Sequence, residues 1–217
     1  MLNEALLLDS TRPVSEKPHN VSGCPEITFA GVPSSCLESP EQSYSWYVLR
    51  VSYSRELKIK ELLDQMGIRV FVPMMWRTRT IAGKTEKRLV PAVNNLCFVL
   101  WDRVGIDSFI RGFGDVSPVH YYWDRTANNP MTVPKQAMDD FIKVASTMDE
   151  DLIYITEISQ KLREGQKVRV LSGTFAGVEG RVVRIKKSRR IMVELPGMLA
   201  VASTYVPLEK AGYLEML

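Results

Sequence analysis

The residues able to do proton or metal chemistry are few and scattered. His19 and His120 are the only histidines. The first lies among prolines and serines, and the second sits between Val119 and Tyr121, where a hydrogen-bonded structural histidine is expected. Asp139 and Asp140 are adjacent on an expected helix, so they project about 100° apart and make no convergent acid pair. Cys24, Cys36 and Cys97 are an odd number without a CxxC spacing, which points to neither a disulfide framework nor a zinc site. No phosphate loop, GxGxxG or nucleophile elbow is present, so no enzyme, cofactor or metal is expected. Charge is more informative. Arg77, Arg79, Lys84, Lys87 and Arg88 crowd one stretch against the single acid Glu86. Such a stretch could hold phosphate, because Lys and Arg displace counterions from nucleic acid, with Trp76 beside it for base stacking; the plainer reading is a solvated face.

The elements that must position these residues follow from composition and spacing. With 217 residues, 45% hydrophobic and 24% charged, the chain has room for one large domain or two small ones. No apolar run approaches the roughly 18 residues of a membrane span, and no signal peptide is read; a reducing cytoplasm is the expected location. The net charge of +3 is unevenly spread: residues 1–43 carry six acids against two bases, and everything after them is mildly basic. Five prolines lie in that acidic stretch, so 1–43 is expected to be a mobile leader, the alternative being an edge strand at 26–30.

From Tyr44 to Met148 the pattern is α+β. Ser45 to Val51 is aromatic and β-branched and reads as a strand. Ser54 offers an N-cap for a helix whose Ile59, Leu62, Leu63 and Met66 share a face before Gly67 ends it. A strand from Arg69 runs on through Thr80 to a turn at 82–84, and residues 85–91 return beside it as a hairpin with a basic tip. Leu96 to Trp101 reads as a central strand buried on both faces. A helix from Asp107, a strand over 119–123, and a helix with Pro134 at its first position and Met138, Phe141, Ile142 and Ala145 inside complete the region. Hairpins alternate with crossovers, so a mixed, mainly antiparallel sheet with flanking helices is expected. Residues 149–163 read as an acidic linker. Residues 164–217 then turn to short strands separated by turns, the signature of a small β-barrel.

Gly165 to Gly180 resembles a KOW motif, which implies that the barrel is SH3-like, and the segment opening Ser45-Trp46-Tyr47-Val48 resembles the N-terminal domain of NusG. The order of the two resembles NusG-like elongation and antitermination factors, and within them the leader and residues 133–142 look most like the UpxY-type antiterminators of Bacteroidetes. The resemblance implies a non-enzymatic factor that docks on RNA polymerase through its first domain and suppresses pausing or termination. It implies that Tyr47, Val93, Leu96 and Phe98 line one apolar hollow for a polymerase helix tip, so that Leu96→Asp abolishes docking with the fold intact. It further implies that the basic hairpin contacts the exposed non-template DNA strand or upstream duplex, and that Phe175 is an exposed loop aromatic for a ribosomal protein or a termination factor. Pattern alone also allows Phe98 and its neighbours to be core, and Phe175 to plug the barrel. Relatives carry Phe-Pro-Gly-Tyr where this chain has Val93-Asn94-Asn95-Leu96, and Asn tolerates left-handed backbone nearly as Gly does. Gly180 is expected where two backbones nearly touch. The β-branched residues of the barrel favour strand over helix. The runner-up function is a ribosome-associated or RNA-binding KOW protein, which would gather its basic charge on the barrel.

Overall fold

The computed structural model describes residues 44–81, 84–185, 187–205 and 214–217. The leader, with His19, Cys24, Cys36 and the alternative strand at 26–30, lies outside the described residues, as do Ala82, Gly83 and Lys186. The first half comprises β1 (Ser45–Val51), α1 (Glu56–Gln65), β2 (Arg69–Phe71), β3 (Met74–Ile81), β4 (Lys84–Pro91), β5 (Leu96–Trp101) and α2 (Arg103–Arg111). It continues through β6 (Val119–Tyr121), the short β7 (Trp123–Asp124), β8 (Asn129–Pro130) and β9 (Thr132–Val133), and α3 (Lys135–Ala145). The second half holds β10 (Ile153–Ile155), α4 (Gln160–Arg163), β11 (Gln166–Val170), β12 (Glu179–Ile185), β13 (Ser188–Leu195), β14 (Leu199–Tyr205) and β15 (Leu214–Met216).

β1 and β5 form the centre of the first sheet, in the order β2-β5-β1-β6 with β9 also on β1. Every pairing among the described strands is antiparallel, so the expected mixed sheet is antiparallel throughout. Side chains alternate across a strand, and the register sorts them into two layers. Val48 lies opposite Phe98, and Trp46 opposite Leu100; these pack on Met138, Phe141 and Val144 of α3. Leu49 lies opposite Cys97, and Tyr47 opposite Val99; that layer packs on Ile59 and Leu63 of α1 and Ile106 of α2. β5 is therefore covered on both sides, as its apolar run predicts.

Several local expectations shift for identifiable reasons. The strand from Arg69 breaks before Met74, where Pro73 has no N–H for a ladder, and β3 and β4 form a separate two-stranded ribbon. Ser54 does not cap α1: its φ is +51, and the helix begins at Glu56 after Arg55 without a side-chain cap. Gly67, at φ +75, ends the helix as expected. Leu62 and Met66 stay exposed, so only Ile59 and Leu63 of the expected stripe are buried. α2 starts at Arg103 rather than 107, because Asp102 Oδ2 accepts from Gly105 N–H at 3.0 Å. Pro134 stands one position ahead of α3. His120 is exposed on an edge strand instead of being held inside.

The barrel strands run in the order β10-β14-β13-β12-β11-β15, with Val168, Val170, Ile191, Val193 and Val201 buried. A Cβ on Gly180 would lie 2.7 Å from the Met192 carbonyl oxygen, the expected backbone approach. The stretch expected as a linker carries β10 and α4, and Leu152 is buried in the core beside them. Its opening acids outweigh the apolar Ile153-Tyr154-Ile155 in a compositional reading, yet that triplet pairs with residues 200–202. The described residues form one unit, in which α3 packs on β13 and β14 as well as on the first sheet.

Candidate functional site

The hairpin has two unlike faces, because strand residues alternate. Arg77 lies directly opposite Arg88, and Arg79 opposite Glu86. Like charges facing each other across a ladder repel unless an anion lies between them. Arg88 reaches Glu86 at 2.9 Å, whereas Arg77 and Arg79 have no acidic partner among the described residues. Arg77, Arg79 and Arg88 line one side of a groove of about 640 Å³, and Ser54, Leu57 and Asn94 line the other. The opposite face of the ribbon is tied to the chain. Trp76 Nε1 donates to the Met148 carbonyl at 3.0 Å, and Lys87 Nζ reaches both Glu150 oxygens at 2.7 and 2.8 Å. Of the five cations singled out, two thus have acidic partners and two arginines face the groove without one; Lys84 is exposed near the tip.

The four apolar residues expected to line one hollow are not together. Val93, Leu96 and Phe98 belong to the layer that meets α3, whereas Tyr47 faces the opposite layer and packs against Tyr121 with ring centroids 5.9 Å apart. Phe98 is fully buried under Phe141, so within this arrangement it is core. Leu96 is buried too, and Leu96→Asp would put an unpaired charge in the core and cost the fold itself. Half-buried Val93 and buried Leu96 line an open depression of about 330 Å³, shared with Arg50, Tyr122, Met198 and Leu199. The turn beneath it holds Asn95 at φ +62, so Asn does take the conformation expected of it. Glu56, buried at the start of α1, accepts a hydrogen bond from Asn95 N–H and pins that turn. Sequence reasoning misses Glu56, since an acid in a helix's first turn reads as a solvent-facing complement to the helix dipole.

Phe175 is only 8% exposed and belongs to the same apolar cluster as Phe141, Val144 and Leu195. The loop carrying it is held to α3 by Lys143 Nζ, which donates to the Ala176 carbonyl. Beside this seam Asp140 is 6% exposed and accepts from Gln136 Nε2 at 3.2 Å on each oxygen. Burial pushes its carboxyl above the usual aspartate value, and the Gln136 bond opposes that only in part. A carboxyl raised in the folded state binds its proton more tightly folded than unfolded, so its charge opposes folding at higher pH. Asp140→Asn is therefore expected to raise the melting midpoint at pH 8, with the gain shrinking as the pH falls toward the ordinary aspartate range. Thermal melts across that range check it; a gain independent of pH would assign the effect to shape. Cys97 is buried, and burial pushes its thiol up to about 12, which leaves it inert as a nucleophile. Among the described residues no helix is long and apolar enough to cross a membrane.

A profile described as "Transcription termination factor nusG" matches residues 44–142, and one described as "KOW motif" matches residues 164–194. The protein is a NusG-like factor. The NusG-like pairing puts it among transcription elongation and termination factors, a non-enzymatic class whose members generally bind RNA polymerase. A solved structure titled "Domain interaction in Thermotoga maritima NusG" is similar to the NusG-like chain at 16% identity and a TM-score of 0.42, covering 81% of this chain and 98% of that one. No curated protein matches.

Proposed function

We propose that this NusG-like protein binds RNA polymerase through its first half and suppresses pausing or termination in the cytoplasm, as an antiterminator of the UpxY type. The observation that carries the reading is the order of the two matched segments, 44–142 and then 164–194, on one chain. The docking surface is the depression at Val93, with Leu96 as its buried floor, and its occupant is an apolar helix tip held in the helix-in-groove mode. Phe98 and Tyr47 support that surface from within and from the far layer. Arg77, Arg79 and Arg88 contact DNA phosphate, supported by the Arg77–Arg88 opposition that a bound anion would relieve. Phe175 meets a ribosomal protein or termination factor once the barrel parts from α3.

The ribosomal alternative needs free basic charge on the barrel. There, Arg169 is paired with Glu179 and Glu215, Arg181 donates to the Gly165 carbonyl, and Arg190 donates to the Asp151 and Ser203 carbonyls. Arg184, Lys187 and Arg189 of the barrel also form no ion pair among the described residues, so free charge does not separate the two readings, and the order of the matched segments is what favours polymerase.

Capture on immobilised core RNA polymerase tests the reading. Wild-type protein is expected to be retained at low salt, and Val93→Asp at least about tenfold less, the equivalent of roughly 1.4 kcal/mol. No retention of the wild type removes the proposal, and equal retention of Val93→Asp moves docking away from this depression.

A further inference from the structure

The groove beside the arginines is bordered by an unusual piece of backbone. Tyr53 and Ser54 have φ of +62 and +51, the only consecutive pair of non-glycine residues in the left-handed region among the described residues. Such conformations are unfavourable for L-residues and persist where the surrounding structure enforces them, often at binding sites. The pair is anchored on one side by Ser52 N–H, which donates to the Pro118 carbonyl at 2.8 Å, and on the other by the start of α1. Its effect is to hold a large aromatic ring out in water: Tyr53 is 77% exposed, the most exposed aromatic among the described residues. The Arg55 guanidinium lies 5.5 Å from the ring centroid, so the ring is already stacked on a cation. Ser54, the next residue, lines the arginine groove.

An exposed aromatic beside an arginine-lined groove suits a base that is free to leave its neighbours. A duplex hides the faces of its bases, whereas a single strand offers a π-face at every nucleotide. We propose that Tyr53 is the stacking platform for an unpaired base of a single-stranded nucleic acid whose phosphates lie along Arg77, Arg79 and Arg88. This rests on the nucleic-acid contact proposed above and adds the residue that holds a base.

The test uses the full chain and fluorescence anisotropy, with a labelled mixed-sequence single strand of about 20 nucleotides as DNA and as RNA, and a DNA duplex of the same length. Tyr53→Ala is expected to weaken single-strand binding by roughly 5- to 150-fold, the span one base–aromatic stack is worth, and Tyr53→Phe to bind as the wild type does. The salt dependence of Tyr53→Ala stays that of the wild type, because a tyrosine displaces no counterion. The pair Arg77→Ala with Arg79→Ala flattens it by roughly 0.7 per cation removed. Tyr53→Gly relaxes the left-handed backbone, so it is expected to melt higher while binding as weakly as Tyr53→Ala. A loss of similar size on DNA and RNA supports a platform indifferent to the sugar, and a loss on one alone identifies the strand it serves. Wild-type affinity in Tyr53→Ala overturns the platform and leaves the arginine contact standing, and an equal loss on the duplex overturns it likewise. A wild-type chain that binds none of the probes overturns both.

Discussion

Phe141→Ala is expected to cost about 3 to 5 kcal/mol of folding stability, the range for emptying a fully enclosed aromatic site. Phe141 is completely buried on α3, and its ring sits 6.2 Å from Phe71, 6.1 Å from Phe98 and 6.4 Å from Tyr154. Those partners come from β2, β5 and β10, so the cavity would open where the first sheet meets the barrel. The expected consequence is a single unfolding transition shifted as a whole. All four tryptophans lie in the first half, so their fluorescence reports on that half, whereas far-ultraviolet circular dichroism reports on both. Coincident shifts in the two signals are the predicted result. Tryptophan fluorescence that shifts while circular dichroism keeps a separate, unshifted transition would mean that the two halves do not share a core.

The second large effect is expected at Gly180. Its added Cβ would stand 2.7 Å from the Met192 carbonyl oxygen and 2.8 Å from Ile191 Cγ2. The carbonyl belongs to β13, which is paired with β12 along Arg181↔Met192 and Val182↔Ile191, so relief requires the ladder itself to move. Overpacking of this kind costs about 1 to 3 kcal/mol, and a barrel of some 50 residues has little in reserve. Gly180→Ala should therefore lower the midpoint and, more specifically, strip hydrogen-exchange protection from β12 and β13 while the amides of β1 and β5 keep theirs. Uniform loss across both sheets would contradict a local clash.

How much of this was legible in the sequence depends on the range over which each interaction acts. The central place of β5 is written in six consecutive apolar residues, and the hairpin in its alternation and turn. Gly180 and Asn95 are readable because each satisfies a backbone demand that few residues can meet. The NusG-like order of segments is readable because motifs are contiguous. The composition of the proposed hollow is not, since strand parity separates Tyr47 from Leu96 and Phe98 only after the register is known. Phe175 in its Gly-rich loop looks free to face a partner, and nothing local reveals that α3 comes to rest on it. Likewise Ser54 has the chemistry of a cap, but the left-handed turn at Tyr53 carries the chain past the capping geometry. Residues 149–163 mislead for a similar reason: three acids suggest a tether, while the strand that follows finds its partner some fifty residues downstream.

The back of the ribbon has a mechanical implication. Trp76 grips Met148, Lys87 grips Glu150, and the Tyr154 hydroxyl donates to the Met74 carbonyl at 3.1 Å, all within the few residues that become the barrel's first strand. Whatever seizes the ribbon by its arginine side therefore tugs on the edge of the barrel.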